Sequence, residues 1–373
     1  MHPHSLFSTK SSPVVNRINS HFKDWNLVPE DKWKIISHVH KSIRHGRPDD
    51  AEQGVRWLWD LDPEYLRYRL AVIAQEDVAA GSPELVAQLL AGGWKRYDMQ
   101  KKGVDQVVAR IREWSLAVKD RTPCAFLDCA FYLKEFEELH GSWAMLSPRA
   151  ARKIAWEESH PWWVRGLAAW RAVGAEVFKS QHLPALEGSW DYYVQEAKEY
   201  AQMSDEEFYC FEMGRKTQVE AHPIFFPLAL AARKKQDATV KEVVVPDLGY
   251  AGPWVSAALD KHTLEGKKAL EVLVKNKDSE YKSLIKTCSP AVAKDFIGRL
   301  WFWMEGGLLD KQWDYEMTRQ IDHQSKIQRL KKAGIDPKLL YQLFGKDLKA
   351  WQEARQAVIQ IKPVPKMSGP KFS

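Results

Sequence analysis

No apolar stretch in the chain approaches the ~20 residues that a membrane-spanning helix requires, so neither a bilayer-crossing fold nor a membrane partner is expected. Cysteine is scarce. Cys124, Cys129, Cys210 and Cys288 lie too far apart for a zinc ribbon, and the x4 spacing of the first pair has no matching second pair. They read as reduced core thiols, with no metal site and no disulfides. The first residues lack a basic stretch leading into an apolar run, so no secretory signal is expected and a cytoplasmic location follows. Linear signatures of catalysis are missing as well: there is no G-x-S-x-G, no H-E-x-x-H and no G-x-x-x-x-G-K-[ST] phosphate loop. No period of 20 to 50 residues repeats, which argues against a solenoid. Strand-forming runs are rare. Val240 to Val245 is the best of them, so the expected fold class is all-α and multi-helical, with at most a short β-hairpin.

What is present is long and aromatic. At 373 residues and 43.0 kDa the chain suggests two or three packed units, and its hydrophobic (45%) and charged (28%) fractions are those of a globular protein. Its 17 tryptophans run from Trp25 to Trp351, too dispersed for one aromatic box, and read as core fillers whose N–H needs a partner. Net charge is +6, but the residues from Arg319 onward carry 12 Lys/Arg against 4 Asp/Glu, a local +8 that leaves −2 for the rest. A basic end on a neutral body suits a polyanionic partner.

Local punctuation predicts short helices. Pro29-Glu30-Asp31 opens a helix carrying Trp33, Ile36, His40 and Ile43, which stops at His45-Gly46-Arg47-Pro48. Asp49 and Asp50 open a second, and Asp62-Pro63-Glu64 a third, with Asp62 as cap. Gly81-Ser82-Pro83-Glu84 repeats the joint. Ser204 with Glu207 has capping-box spacing, Gly249 to Pro253 reads as a loop, and Thr263 to Asn276 and Pro290 to Gly307 read as helices.

One region also resembles a known family. His38-Val39-His40-Lys41-Ser42-Ile43-Arg44, then Asp49-Asp50-Ala51 and Trp57-Leu58, resembles the "HKS-R…D-A-WL" stretch that follows the ATPase core of the MgsA/RarA/WHIP replication-associated recombination ATPases, relatives of clamp loaders. Asp62 to Leu66 and Arg69 to Val78 are similar to that group's "DP-YI-RRL…ASEDIG", and Trp114 to Arg121 is a weaker echo of the helix that ends in "APKSN". The resemblance covers residues of about 30 to 130. It departs at Ala79, where the family has glycine, and at Pro48 in the turn. It implies a helical collar used for assembly near DNA, and the missing phosphate loop means that ATP hydrolysis is not carried over.

The expected organisation is a flexible N-terminus over 1–24, a collar-like helical domain over 25–140, a second mainly helical domain over 141–318, a basic helical hairpin over 319–361 and a flexible basic tail over 362–373. Lys41 and Arg44, three apart on one helical face, are candidate phosphate contacts. At Lys331-Lys332-Ala333-Gly334-Ile335-Asp336-Pro337-Lys338 the joint resembles a helix-hairpin-helix, with Arg329, Lys331, Lys332 and Lys338 supplying charge for DNA. Glu76 and Asp77 point about 100° apart on an α-helix and so converge poorly; they read as a structural or assembly pair, bonded to a neighbouring helix end or to Arg67 or Arg69. Glu157 and His160 have metal-pair spacing without a second pair, and His38 and His40 face different ways. Trp162 and Trp163 with Arg165 are a possible stacking cluster, more commonly a core feature.

The expected function is therefore that of a DNA replication or repair accessory protein, of a kind that suits a phage or mobile element, without a cofactor. Its partners would be nucleic acid, most naturally DNA, and a clamp-loader-like protein or a second copy of itself. Two alternatives stand beside it: a DNA- or nucleotide-modifying enzyme such as a base-modifying transferase or glycosylase, with its site between the collar and middle domains, and an inhibitor or mimic of a host clamp-loader subunit. A deep pocket with converging carboxylates and a shifted pKa would favour the enzyme.

Overall fold

Proline and glycine set the joints of the N-terminal half. The computed structural model describes residues 31–91, 93, 95–132, 143, 145–174, 190–217, 221–275, 290–332 and 348–359. Helix α1 (Lys32–Arg44) ends at His45-Gly46, where Gly46 has a φ of +65° and a β-carbon would collide with the Asp310 carboxylate. Helices α2 (Pro48–Leu61), α3 (Pro63–Ile73) and α4 (Pro83–Leu90) each begin on a proline, whose missing N–H costs nothing in a first turn. Asp62 caps α3 by accepting the Tyr65 N–H at 2.9 Å. Helix α5 (Arg96–Leu116) is kinked at Gly103, and α6 (Thr122–Tyr132) follows. Packed together, α1 lies on α2 and α2 on α5.

The middle of the chain adds α7 (Pro148–Trp156), α8 (Trp162–Val173), α9 (Trp190–Tyr200), α10 (Asp205–Thr217) and α11 (His222–Lys235). The capping box forms as its spacing predicts: Ser204 N–H donates to Glu207 at 2.8 Å, and Glu207 N–H to the Ser204 hydroxyl at 3.2 Å. Then come strands β1 (Thr239–Glu242), β2 (Tyr250–Ala251) and β3 (Trp254–Val255), helices α12 (Leu264–Lys275) and α13 (Pro290–Trp301), strand β4 (Lys311–Asp314) and helix α14 (Glu316–Lys332). The fold is all-α and multi-helical with two tiny antiparallel sheets. β1 does not turn back on itself. It pairs with the distant β4, Thr239 opposite Asp314, whereas the expected loop at Gly249 to Pro253 is part of the β2–β3 hairpin.

A large buried cluster runs from Ile35 to Ile321, drawing on both sides of residue 140. Trp114, Trp170, Trp254, Trp301 and Trp351 are among the largest fully buried side chains. A ring of this size removes ~150–250 Å² from water, worth about 4–6 kcal/mol at ~25 cal/mol per Å². Trp114 finds its partner in the Leu85 carbonyl at 3.2 Å. A second cluster joins α12 and α13 to the helical stretch 348–357, where Trp351 stacks on Trp301 at 5.4 Å. Beneath it Arg355 and Glu305, both fully buried, form a two-pronged pair at 2.9 and 2.6 Å. Among the described residues no helix is long and apolar enough to cross a membrane.

Two helices end in π-helical turns, a wide form of turn found mostly at functional sites. Ala74–Val78 continues α3, and Phe302–Gly306 continues α13. Both turn toward the same cleft.

Candidate functional site

Helix α1 builds one wall of that cleft. Trp33, Ile36, Ser37, His40, Lys41 and Arg44 recur every three or four residues and therefore share one face. Arg69 comes from α3, Glu76 from the first π turn, Arg121, Cys124 and Asp128 from the start of α6, Lys261, His262 and Thr263 from the loop before α12, and Arg299, Phe302 and Trp303 from α13 and its π turn. The cleft has a volume of about 440 Å³. Six cationic side chains and two carboxylates line it.

Asp77, fully buried, is the hub behind the wall. Its Oδ2 accepts from Arg44 Nε at 2.8 Å and from His40 Nε2 at 2.6 Å, and its Oδ1 lies 3.0 Å from Arg121 Nε. Arg44 reaches further, to Glu76 Oε2 at 2.8 Å and to the Gly306 carbonyl at 3.1 Å, and Arg121 donates to the Gly307 carbonyl at 3.0 Å and to Cys124 Sγ at 3.3 Å. Guanidinium groups thus tie the first π turn to the second. Lys41 pairs with buried Asp260 at 2.9 Å. The Phe302 ring takes Lys41, Arg44 and Arg121 at 5.0, 5.6 and 5.5 Å from its centroid, so three cations share one aromatic face or rim.

Protonation follows from these neighbours. Burial alone would raise both carboxyls, but for Glu76 the opposing fields of His40 and Arg44 prevail and hold it down to about 2. Asp77 is likewise buried, yet Arg44, His40 and Arg121 keep it well below the usual carboxylate range. For His40, burial and then Arg44 outweigh Asp77 and lower it to about 4, so the ring is neutral at pH 7 and donates to Asp77. Burial pushes the Cys124 thiol up to about 12.

His40, Glu76 and Asp77 offer three ligand-type atoms within 4.8 Å of one another. The place of a cation is already filled, because Arg44 bonds both carboxylates and Arg121 a further oxygen. The same geometry revises the expectation for Glu76 and Asp77. They do converge, since a π turn replaces the α-helix and one guanidinium fork spans both, and of the expected partners it is a neighbouring helix end, Arg44 of α1, that binds them, with His40 and Arg121 and not Arg67 or Arg69. Arg67 pairs with Glu64 instead.

Comparison with known proteins returns no matching family model, no matching curated protein and no matching solved structure.

The remaining sequence candidates are scattered. Lys41 and Arg44 are buried, 4% and 1% exposed, with their charges met from within. Arg329, Lys331 and Lys332 fall in the last turns of α14, while Lys338 and the Gly334 to Pro337 joint lie outside the described residues. His38 and His40 do face apart: His38 accepts the Val255 N–H at 3.0 Å, which leaves its Nε2–H to donate to the Asp50 carbonyl at 2.9 Å. His160 sits 3.5 Å from Glu157 on an exposed turn. Trp162 and Trp163 border a second cavity of about 460 Å³, but buried Arg165 is committed to the Ala155 carbonyl and the Tyr200 hydroxyl, and Trp162 packs edge-on against Phe126. Sequence reasoning missed Arg121, Lys261, Arg299 and Phe302. The helical spacing of Trp33, Ser37, Lys41 and Arg44 was the available signal for the first wall; nothing linear marks the others.

Proposed function

We propose that this chain is a nucleic-acid-binding accessory protein of DNA replication or repair, and that the α1 cleft of its collar-like bundle receives a nucleotide unit without ATP hydrolysis. The observation that carries this reading is the combination of charge and aromatic surface in one small cavity. Six cations against two carboxylates line it. Lys41, Arg44 and Arg299 are paired with Asp260, Asp77 and Asp295, whereas Arg69 has no ion-pair partner among the described residues. Trp33 stands 57% exposed at its edge, and Phe302 and Trp303 lie within. Cationic grooves with aromatic platforms are how proteins hold single strands, because every base has a π-face and every link a charge. The resemblance of residues of about 30 to 130 to the MgsA/RarA/WHIP collar agrees with work near DNA.

The converging carboxylates do not favour the enzyme reading. A general acid or base needs a pKa near the working pH, whereas Glu76 and Asp77 are driven downward and act as fixed anions that orient Arg44 and Arg121. Fluorescence anisotropy with a labelled single-stranded oligothymidylate tests the proposal. Trp33→Ala should weaken binding by about 1–3 kcal/mol, the worth of one stacked base. Absence of binding at low salt, or binding indifferent to both Trp33→Ala and Arg69→Gln, would reject it.

A further inference from the structure

The unspent hydrogen-bonding capacity of the cleft is concentrated on two guanidinium groups. Arg69 makes no hydrogen bond or ion pair among the described residues, although its Nε is shielded from solvent and the side chain borders the cavity. Arg121 Nε lies 3.0 Å from Asp77 as an ion pair without hydrogen-bond geometry, and one Nη donates to a backbone carbonyl, but its other Nη reaches only the Cys124 sulfur at 3.3 Å. That thiol stays protonated at neutral pH and is a weak acceptor. By contrast Arg44 is ion-paired with Glu76 and Asp77, and Lys41 with Asp260.

We infer that the cleft recognises a phosphate monoester borne by a nucleoside, in preference to the diester links inside a strand; this rests on the nucleic-acid reading above. A diester link carries one charge and offers two free oxygens. A monoester carries about −1.5 to −2 at pH 7 and presents three acceptor oxygens. The planar fork of Arg69 together with the one Nη that Arg121 can release from Cys124 matches the second pattern, since an open fork takes two oxygens side by side and the single Nη takes the third. A phosphate oxygen is also a far better acceptor than the Cys124 thiol and would replace it on Arg121. Position agrees with charge: Arg121 packs over the Phe302 ring inside the cavity, while Trp33 is exposed at its edge, so a nucleoside would stack outside with its phosphate directed inward. The chemistry is shared by a strand terminus and by a free mononucleotide.

The test uses the full chain and two labelled oligothymidylates that differ only in a 5′-phosphate or a 5′-hydroxyl, with anisotropy read at one salt concentration. The phosphorylated strand should bind at least about tenfold tighter, a difference of ~1.4 kcal/mol, and Arg69→Gln should erase the preference. Arg69 is chosen because it has no hydrogen-bond or ion-pair partner to lose among the described residues; its urea midpoint should equal that of the parent. Equal binding of both strands overturns the monoester inference and leaves the nucleic-acid reading in place. Binding of neither strand removes the nucleic-acid reading itself. A preference that survives Arg69→Gln overturns the assignment to this cleft. Competition by thymidine 5′-monophosphate at concentrations comparable to the strand's effect assigns the monoester to a free nucleotide, and failure to compete while the preference persists assigns it to a strand end.

Discussion

Removing the Asp77 carboxylate is the sharpest perturbation of the network that shapes the cleft. Asp77 has no solvent exposure, and it meets Arg44 at 2.8 Å, His40 at 2.6 Å and Arg121 at 3.0 Å. In Asp77→Ala the Arg44 side chain, 2% exposed, keeps only Glu76 among its acidic partners. Stripping one partner from a buried ion pair typically costs about 3–5 kcal/mol, because an uncompensated charge remains inside. Against a usual total of ~5–15 kcal/mol, such a loss is a large fraction of stability. Asp77→Asn keeps the shape and one acceptor oxygen, so it should fall between the parent and Asp77→Ala. Urea unfolding followed by intrinsic tryptophan fluorescence at pH 7.5 measures each variant, and a cycle with Arg44→Met gives the coupling. We expect a coupling of about 1–3 kcal/mol, as for residues in one ion-pair network. A loss below ~1 kcal/mol for Asp77→Ala, or strict additivity with Arg44→Met, refutes the hub. The pH dependence has a definite sign: the native pKa of Asp77 lies below its unfolded value, so its stabilisation is complete above the unfolded pKa and disappears as pH falls through the native one.

Histidine supplies a second acid-sensitive term. Burial lowers His38 to about 4 and His45 to about 3 from an ordinary 6.5, so each stabilises fully above 6.5 and loses that contribution as pH falls toward its native value. Melting temperature should therefore drop between pH 7 and pH 5, and His45→Gln should flatten that drop; an unchanged slope contradicts the assignment. At the Arg355–Glu305 pair, Arg355→Met should cost about 3–5 kcal/mol by stranding Glu305, while Arg355→Met with Glu305→Leu should recover much of the loss. Equal losses for single and double variants, read by urea unfolding, would exclude a buried-charge origin. Cys124, pushed up to about 12 by burial, should resist iodoacetamide in the native protein at pH 7.5 and react once unfolded, with peptide mass mapping as the readout. Rapid native labelling would contradict it.

Local rules read much of this fold correctly because their physics is local. Asp62 and Ser204 cap the helices their spacing indicates, and prolines open α2, α3 and α4. The wall of the cleft on α1 was equally legible, since a helical face needs only a period of 3.6 residues. Glu76 and Asp77 are the structural pair expected, but their convergence was not legible: the 100° rule assumes an α-helix, and a π turn with a guanidinium long enough to span both side chains defeats it. Arg121, Arg299, Phe302 and the Arg355–Glu305 pair meet α1 only through tertiary packing, and the β1–β4 pairing likewise joins segments separated by α12 and α13.

Binding of nucleic acid by the α1 cleft through phosphate neutralisation, as proposed, requires affinity to fall with salt. The salt dependence of single-strand affinity measures this most directly, because each phosphate contact contributes roughly −0.7 to the slope of log K against log salt. For contacts by Arg69 and Arg121 the parent slope should be about −1.4 or steeper, and Arg69→Gln should make it shallower by about 0.7. A slope near zero, or one that Arg69→Gln leaves untouched, would contradict the account.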